Sequence, residues 1–256
     1  MRKAVMLVFV MVLALGVSGP AAWAGTDYDV DPGGSIQDAI NGAADGDTIY
    51  VHEGTYDESL VIDGKDLSLI AVGDVLLQPT ELCLGHGDVI QVYNSVATIK
   101  GFTIDANYSG SGCLGGIYAK GGCEDSGAVD VTVKDNDIYN YGKNGITVNC
   151  ELAMGKITGN TVTGRGELPL GDLAQNGIQL GWGATGEVRD NTIADHWYAG
   201  CSMHDAAHDL CTAWWAAGLL LYNMDVEPNF VSQARRNNTF ENNQYDVLLV
   251  PSQSLE

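Results

Sequence analysis

Four segments of this sequence share one frame: Val133-Lys-Asp-Asn-Asp-Ile138, Ile157-Thr-Gly-Asn-Thr-Val162, Val188-Arg-Asp-Asn-Thr-Ile193 and Arg235-Arg-Asn-Asn-Thr-Phe240. A fifth, Ile99-Lys-Gly-Phe-Thr-Ile104, keeps the frame without the Asn. A second motif alternates with the first, at Gly116-Ile117, Gly145-Ile146, Gly177-Ile178 and Gly218-Leu219. The aligned Asn136, Asn160, Asn191 and Asn238 stand 24, 31 and 47 residues apart. Strands of fixed length separated by loops of variable length describe a solenoid. Each coil cannot bury its apolar face alone, so stacked coils must share one core. An Asn at an inward turn can bond its amide to the next coil's Asn and backbone, which explains Asn where Val would otherwise fit. About seven coils fit the chain.

Composition narrows the class further. There are 33 acidic residues against 12 basic ones, a net charge of −21, with 45% hydrophobic residues. The hydrophobic fraction excludes a disordered chain. The acidic balance excludes a broadly basic nucleic-acid binder, which must neutralise phosphates. Arg2 and Lys3, the apolar run Ala4 to Val17 and the small-x-small Ala22-Trp23-Ala24 read as a secretory signal peptide cleaved after Ala24. Residues 25–256 then form the folded domain, secreted or periplasmic and monomeric. No later segment is apolar enough to cross a membrane.

Six cysteines in an exported chain favour disulfides. Cys83 and Cys113 both precede a Gly-Ile-type strand, in neighbouring coils, and Cys123 and Cys150 both follow one. The preferred pairs are Cys83–Cys113, Cys123–Cys150 and Cys201–Cys211, with a local Cys113–Cys123 bridge as the rival.

With Ser35-Ile-Gln-Asp-Ala-Ile40, Asp45-Gly-Asp-Thr-Ile-Tyr-Val51 and Gly54-Thr-Tyr-Asp-Glu58 at its start, the chain resembles the pectate-lyase-like superfamily over roughly residues 30 to 250. The resemblance implies an all-β, single-domain, right-handed parallel β-helix. Ser35 and Asp38 look like a capping box opening a short helix, with Ile36, Ala39 and Ile40 on its apolar side. That helix would close the open end of the core. No specific enzyme family is matched. Gly54-Thr-Tyr-Asp-Glu58 is similar to one methylesterase motif, but that family's other motifs are missing. Gly85-His-Gly87 is similar to one polygalacturonase motif, again without its companions, and reads as a flexible turn.

Three constellations carry candidate chemistry. The longest insertion, residues 194–217, gathers His196, His204 and His208 with Trp197, Tyr198, Asp205 and Asp209. There His208 and Asp209 are candidate metal ligands, with Ca²⁺ as the cation. Lys120, Tyr198 and His204 are candidate acid–base groups, with Asp205 or Asp209 orienting them or holding the cation. The second constellation is a basic column, Lys100, Lys134, Arg189 and Arg236, either neutralised by Asp135 and Asp190 or facing an acidic polymer. The third is the outward side of the Gly-Ile strands. Alternation points Tyr93, Tyr118, Asn149, Gln179 and Tyr222 outward, with Trp182 next to them and Trp197 in the insertion. Amides that pair hydroxyls and rings that stack on C–H faces suit an extended sugar chain.

These features lead to an expected polysaccharide lyase or epimerase acting on uronic-acid chains. The alternative is a non-catalytic extracellular carbohydrate-binding or cell-surface module. The strong negative charge argues against a polyanionic substrate unless a cation bridges the two.

Overall fold

The computed structural model describes residues 25–252 except 84, 109–111, 125, 170–171, 200–215 and 228. Its strands pair in parallel, each with the strand one coil away. They form a prism with three faces. The first face carries Val96–Lys100, Val129–Lys134, Ala153–Thr158 and Thr185–Arg189. The second carries Thr103–Asp105, Asp137–Tyr139, Thr161–Leu168, Thr192–Tyr198 and Thr239–Glu241. The long strand Leu67–Leu77 runs through the corner between them, pairing Leu69 with Ile99 and Leu77 with Ile104. The third face is a seven-stranded sheet: Leu60–Asp63, Asp88–Tyr93, Gly115–Lys120, Asn144–Asn149, Asn176–Gly181, Ala217–Tyr222 and Tyr245–Val250.

Inward residues stack in register on every face. Ile49, Leu69, Ile99, Val133, Ile157 and Val188 line the first. Leu77, Ile104, Ile138, Val162 and Ile193 line the second. Leu60, Ile90, Ile117, Ile146, Ile178 and Leu219 line the third. All belong to one continuous apolar core. β-Branched side chains suit this arrangement because each packs on its copy about 4.8 Å above and below.

The Asn ladder runs along the corner between the first two faces. Asn160 Nδ2 donates to Val133 O at 2.9 Å and to Asn191 Oδ1 at 2.9 Å. Asn160 Oδ1 accepts from Asn136 N at 3.0 Å. Asn191 repeats the pattern on Asn238, and Asn136 Oδ1 accepts from Phe102 N at 3.0 Å. The residue before each rung except the last, Asn238, is left-handed: Gly101, Asp135, Gly159 and Asp190 have φ of 84°, 56°, 71° and 59°. That conformation explains why only Gly and Asp occupy the position.

The expected capping helix spans Ile36–Gly42. Ser35 accepts from Asp38 N, and Ile36 and Ile40 are fully buried against the first coil. Glu58, from the methylesterase-like motif, accepts hydrogen bonds from Ile36 N and Gln37 N at 2.9 and 3.0 Å. That carboxylate is helix-capping structure.

Two readings are corrected. Arg235 and Arg236 lie on a second helix, Phe230–Asn237, in place of a first-face strand in the last coil, so Arg236 does not continue the basic column. The frame of the repeat resumes at Asn238. The other rungs, Lys100, Lys134, Thr158 and Arg189, do stack in register. Lys134 pairs with Asp135 at 3.7 Å, and Arg189 with Glu187 and Asp190, so these two rungs are neutralised locally. The second correction concerns the insertion, which begins later than residue 194. Thr192–Tyr198 is continuous strand, and Ala217 opens the next one.

Candidate functional site

The outward side of the third face is a groove of about 270 Å³. Two outward rows form its floor. One runs Gln91, Tyr118, Thr147, Gln179, Leu220 and Leu248 in register across six coils. The other runs Tyr93, Lys120, Asn149, Gly181, Tyr222 and Val250. Outward positions of a solenoid are ordinarily wet, yet Tyr118, Thr147, Asn149, Gln179 and Leu220 are all buried.

Their amides form a relay. Asn176 Nδ2 donates to Asn144 Oδ1 at 2.9 Å, Asn144 Nδ2 to Gln179 Oε1 at 3.4 Å, and Gln179 Nε2 to Asn149 Oδ1 at 3.1 Å. Asn149 in turn hydrogen-bonds the Tyr118 phenol. A relay of this kind fixes each amide's orientation before any ligand arrives.

At one end His86 lies flat on Tyr118, ring centroids 3.8 Å apart and 8° from parallel. Its Nδ1 meets the buried Asp88 carboxylate at 2.7 Å. Burial pushes the Asp88 carboxyl up, and the contact with His86 opposes that shift. Gly115 makes room for Asp88, since a Cβ there would stand 1.8 Å from Asp88 Oδ1. The Gly85-His-Gly87 segment is therefore an anchored turn, not the flexible one expected. Its His86 N–H donates to the buried Gln91 Oε1 at 3.0 Å, and the Tyr93 hydroxyl donates to the same oxygen at 2.9 Å. Burial lifts Tyr118 above the usual phenol range and Tyr93 to about 12, so both remain hydrogen-bond donors.

At the other end Trp182 and Tyr222 meet edge to face, centroids 5.0 Å apart. Trp182 has φ of 51° at a turn where four other coils place Gly64, Asn94, Cys150 and Asn223. A bulky side chain in the left-handed region costs on the order of 1–2 kcal/mol. Such an outlier is the kind of strain that marks a side chain kept for function. Lys143 enters from the corner beside Asn144, and its Nζ donates to Ala174 O at 2.6 Å. Burial brings its ammonium pKa down to about 8.

Of the residues singled out in the sequence, Tyr118, Asn149, Gln179, Trp182 and Tyr222 line this groove. Tyr93 packs edge-on against Tyr118 at 6.1 Å. Lys120 belongs to the second row but pairs with Glu124 at 2.5 Å. Trp197 and Tyr198 are on the second face, where Tyr198 is buried with Leu168, Ala174 and Ala216 in a satellite cluster. His196 is fully buried at the corner of the core, its Nδ1 2.8 Å from Asn243 Oδ1 and its Nε2 2.5 Å from the Tyr141 hydroxyl. His204, Asp205, His208 and Asp209 lie outside the described residues, as do Cys201 and Cys211. Cys83–Cys113 and Cys123–Cys150 are disulfides, as preferred. These bridges mark an oxidising compartment. Among the described residues no three His, Cys, Asp or Glu side chains converge to hold a metal ion, and no helix is long and apolar enough to cross a membrane.

Sequence reasoning missed His86, Lys143, Asn144 and Asn176. Asn144 and Asn176 carried a usable signal, since both precede Gly-Ile in the repeat and pair in register.

Residues 88–253 match the model of the right-handed β-helix region. The chain belongs to that family. The matched segment contains the groove-lining residues except His86, and the capping helix Ile36–Gly42 precedes it. None of the curated proteins compared with the chain matches it.

Proposed function

We propose that this β-helix protein binds polysaccharide outside the cell and acts on its uronic-acid units as a lyase or an epimerase. One observation carries the reading. An orienting amide relay, an aromatic platform and two ionisable groups, Lys143 and His86, share one groove. Sugar hydroxyls pair with amides, and sugar C–H faces stack on rings such as Trp182 and Tyr222.

The chemistry removes the proton next to a carboxylate. It needs a charge partner for that carboxylate and a base for the proton. Lys143, as ammonium below its pKa of about 8, faces the carboxylate. His86, oriented through Nδ1 by Asp88, takes the proton. In a lyase the C–O bond to the next sugar then breaks as a C=C bond forms, and the Tyr118 phenol protonates the departing oxygen. In an epimerase a proton returns to the opposite side of the same carbon, and the chain stays whole.

Export through cleavage near Ala24 fits the disulfides and belongs to the same reading, as does action as a monomer. Should Ca²⁺ take part, its ligands would come from the expected His208 and Asp209. A non-catalytic carbohydrate-binding module is the second reading. The net charge of −21 favours it, because that charge repels a polyanion.

Incubation with alginate, pectate and glycosaminoglycans separates these. A lyase generates ultraviolet absorbance from the conjugated double bond. An epimerase changes sugar stereochemistry by NMR without new chain ends. Retention in a polysaccharide gel that survives His86→Ala, with neither product, leaves the binding module. No retention and no product on any glycan would discard both.

A further inference from the structure

The groove changes character along the prism axis. Its first coils present His86, Tyr118 and Lys143, and its middle coils present the amide relay. In the last two coils the outward row that carried Gln91, Tyr118, Thr147 and Gln179 continues as Leu220 and Leu248. The second row continues past Gly181 as Tyr222 and Val250. Trp182 walls this end against Tyr222.

Aliphatic side chains at outward positions have no role in the solenoid core, which is built from the inward Leu219 and Leu221. Leu220 is nonetheless buried, 8% exposed, under the groove. A bare sugar unit laid there would press hydroxyls against Leu and Val and leave them without partners. Each such unpaired hydroxyl costs about 1–3 kcal/mol. A saccharide that ends in an apolar group meets both halves of the groove. Its hydroxyls reach the relay while its apolar group covers Leu220, Leu248 and Val250. Such a ligand also needs no dense run of carboxylates against an acidic protein.

Resting on the glycan reading of the groove, we infer that the preferred ligand is an amphiphilic glycan. It is a saccharide carrying an alkyl, acyl or aryl substituent, with that substituent over Leu220, Leu248 and Val250.

The test is a calorimetric titration of the full chain with methyl, butyl, octyl and phenyl glycosides of glucose, galactose and glucuronic acid, with octanol as the sugar-free control. Affinity is expected to rise roughly fourfold for each methylene that enters the apolar end. Leu220→Asn and Val250→Ser should each flatten that dependence, and Leu249→Ser, outside the groove lining, should keep it. A steeper gain for octyl than for phenyl identifies an aliphatic substituent, and the reverse an aromatic one. Binding of the methyl glycosides with no gain along the series overturns the inference while the glycan reading stands. Octanol binding as tightly as the octyl glycosides overturns both, as does no binding by any compound.

Discussion

His86 lies parallel on Tyr118 at 3.8 Å while its Nδ1 holds the Asp88 carboxylate at 2.7 Å. Stacking fixes the plane of the imidazole, and the carboxylate fixes its rotation. The other ring nitrogen, Nε2, stays available for proton exchange. For the proposed enzyme, His86→Gln should lower turnover by about 10²–10⁴-fold, the usual contribution of a positioned acid–base group. Asp88→Asn should lower it less. Rates on the responsive glycan, with thermal melts as the folding control, decide this. Undiminished turnover in His86→Gln removes His86 from the chemistry.

Trp182 offers a separation of folding from binding. Replacement by Gly relieves a left-handed backbone at φ 51° but removes the edge contact with Tyr222. The two terms are each about 1 kcal/mol and oppose one another. Stability in urea should therefore shift by less than about 1 kcal/mol. Glycan affinity should fall at least tenfold. A stability loss of several kcal/mol would assign Trp182 to the fold instead.

Lys143 sets a basic limit. Its pKa is down to about 8 from an ordinary 10.5, so the folded state sheds its proton first. Between those values the unfolded chain holds more protons, and stability rises with pH across the window. Affinity for an anionic saccharide should fall over the same rise through pH 8, while affinity for a neutral one holds. Lys143→Met should flatten both curves. An unchanged pH profile for the anionic ligand in Lys143→Met excludes the ammonium as its partner.

His196 sets an acidic limit. Burial holds its pKa at about 4, against 6.5 for the free side chain. It is neutral in the fold, and the unfolded chain takes up a proton first. Stability contributed this way is present above 6.5 and is lost as pH falls toward 4. Asp88 and Asp137, both pushed up by burial, act in the opposite direction. Comparison of urea midpoints for the native chain and His196→Gln isolates the histidine. The variant should be about 1–3 kcal/mol weaker at pH 7 and flatter between 6.5 and 4. Parallel curves contradict the buried neutral imidazole.

The ladder makes a positional prediction. Asn160→Ala strips partners from Asn136 N and Val133 O in mid-prism, where no water reaches. Each orphaned group costs about 1–3 kcal/mol. Asn238, at the end of the ladder and partly exposed, should cost less when replaced. Equal losses at both positions would point to packing alone.

The repeat was legible because its causes are local. Asn136, Asn160 and Asn191 each sit after a left-handed residue, Asn238 keeps the frame directly after a helix, and the inward Ile and Val recur with strand period. Register then carried the two outward rows, Tyr118 with Gln179 and Asn149 with Tyr222, onto one face, and the cysteine positions onto two bridges. What escaped was set by the corners. His86 became visible only when Gln91 and Asp88, from the following strand, were seen to anchor its turn. Lys143 is a charged residue in an ordinary turn until the fold buries it. The second helix was hidden because Arg235-Arg-Asn-Asn-Thr-Phe240 satisfies the repeat, and only Asn238 onward obeys it. Tyr198 and His196 looked like loop residues because nothing in sequence marks where strand Thr192–Tyr198 stops.

Glycan binding in the third-face groove is most directly tested by mapping backbone amide shifts of the labelled protein during titration with uronic-acid oligosaccharides. The account predicts shifts confined to Gly115–Lys120, Asn144–Asn149, Asn176–Gly181 and Ala217–Tyr222, with Trp182 among the largest. Shifts centred instead on Lys100, Lys134 and Arg189 of the first face would contradict it.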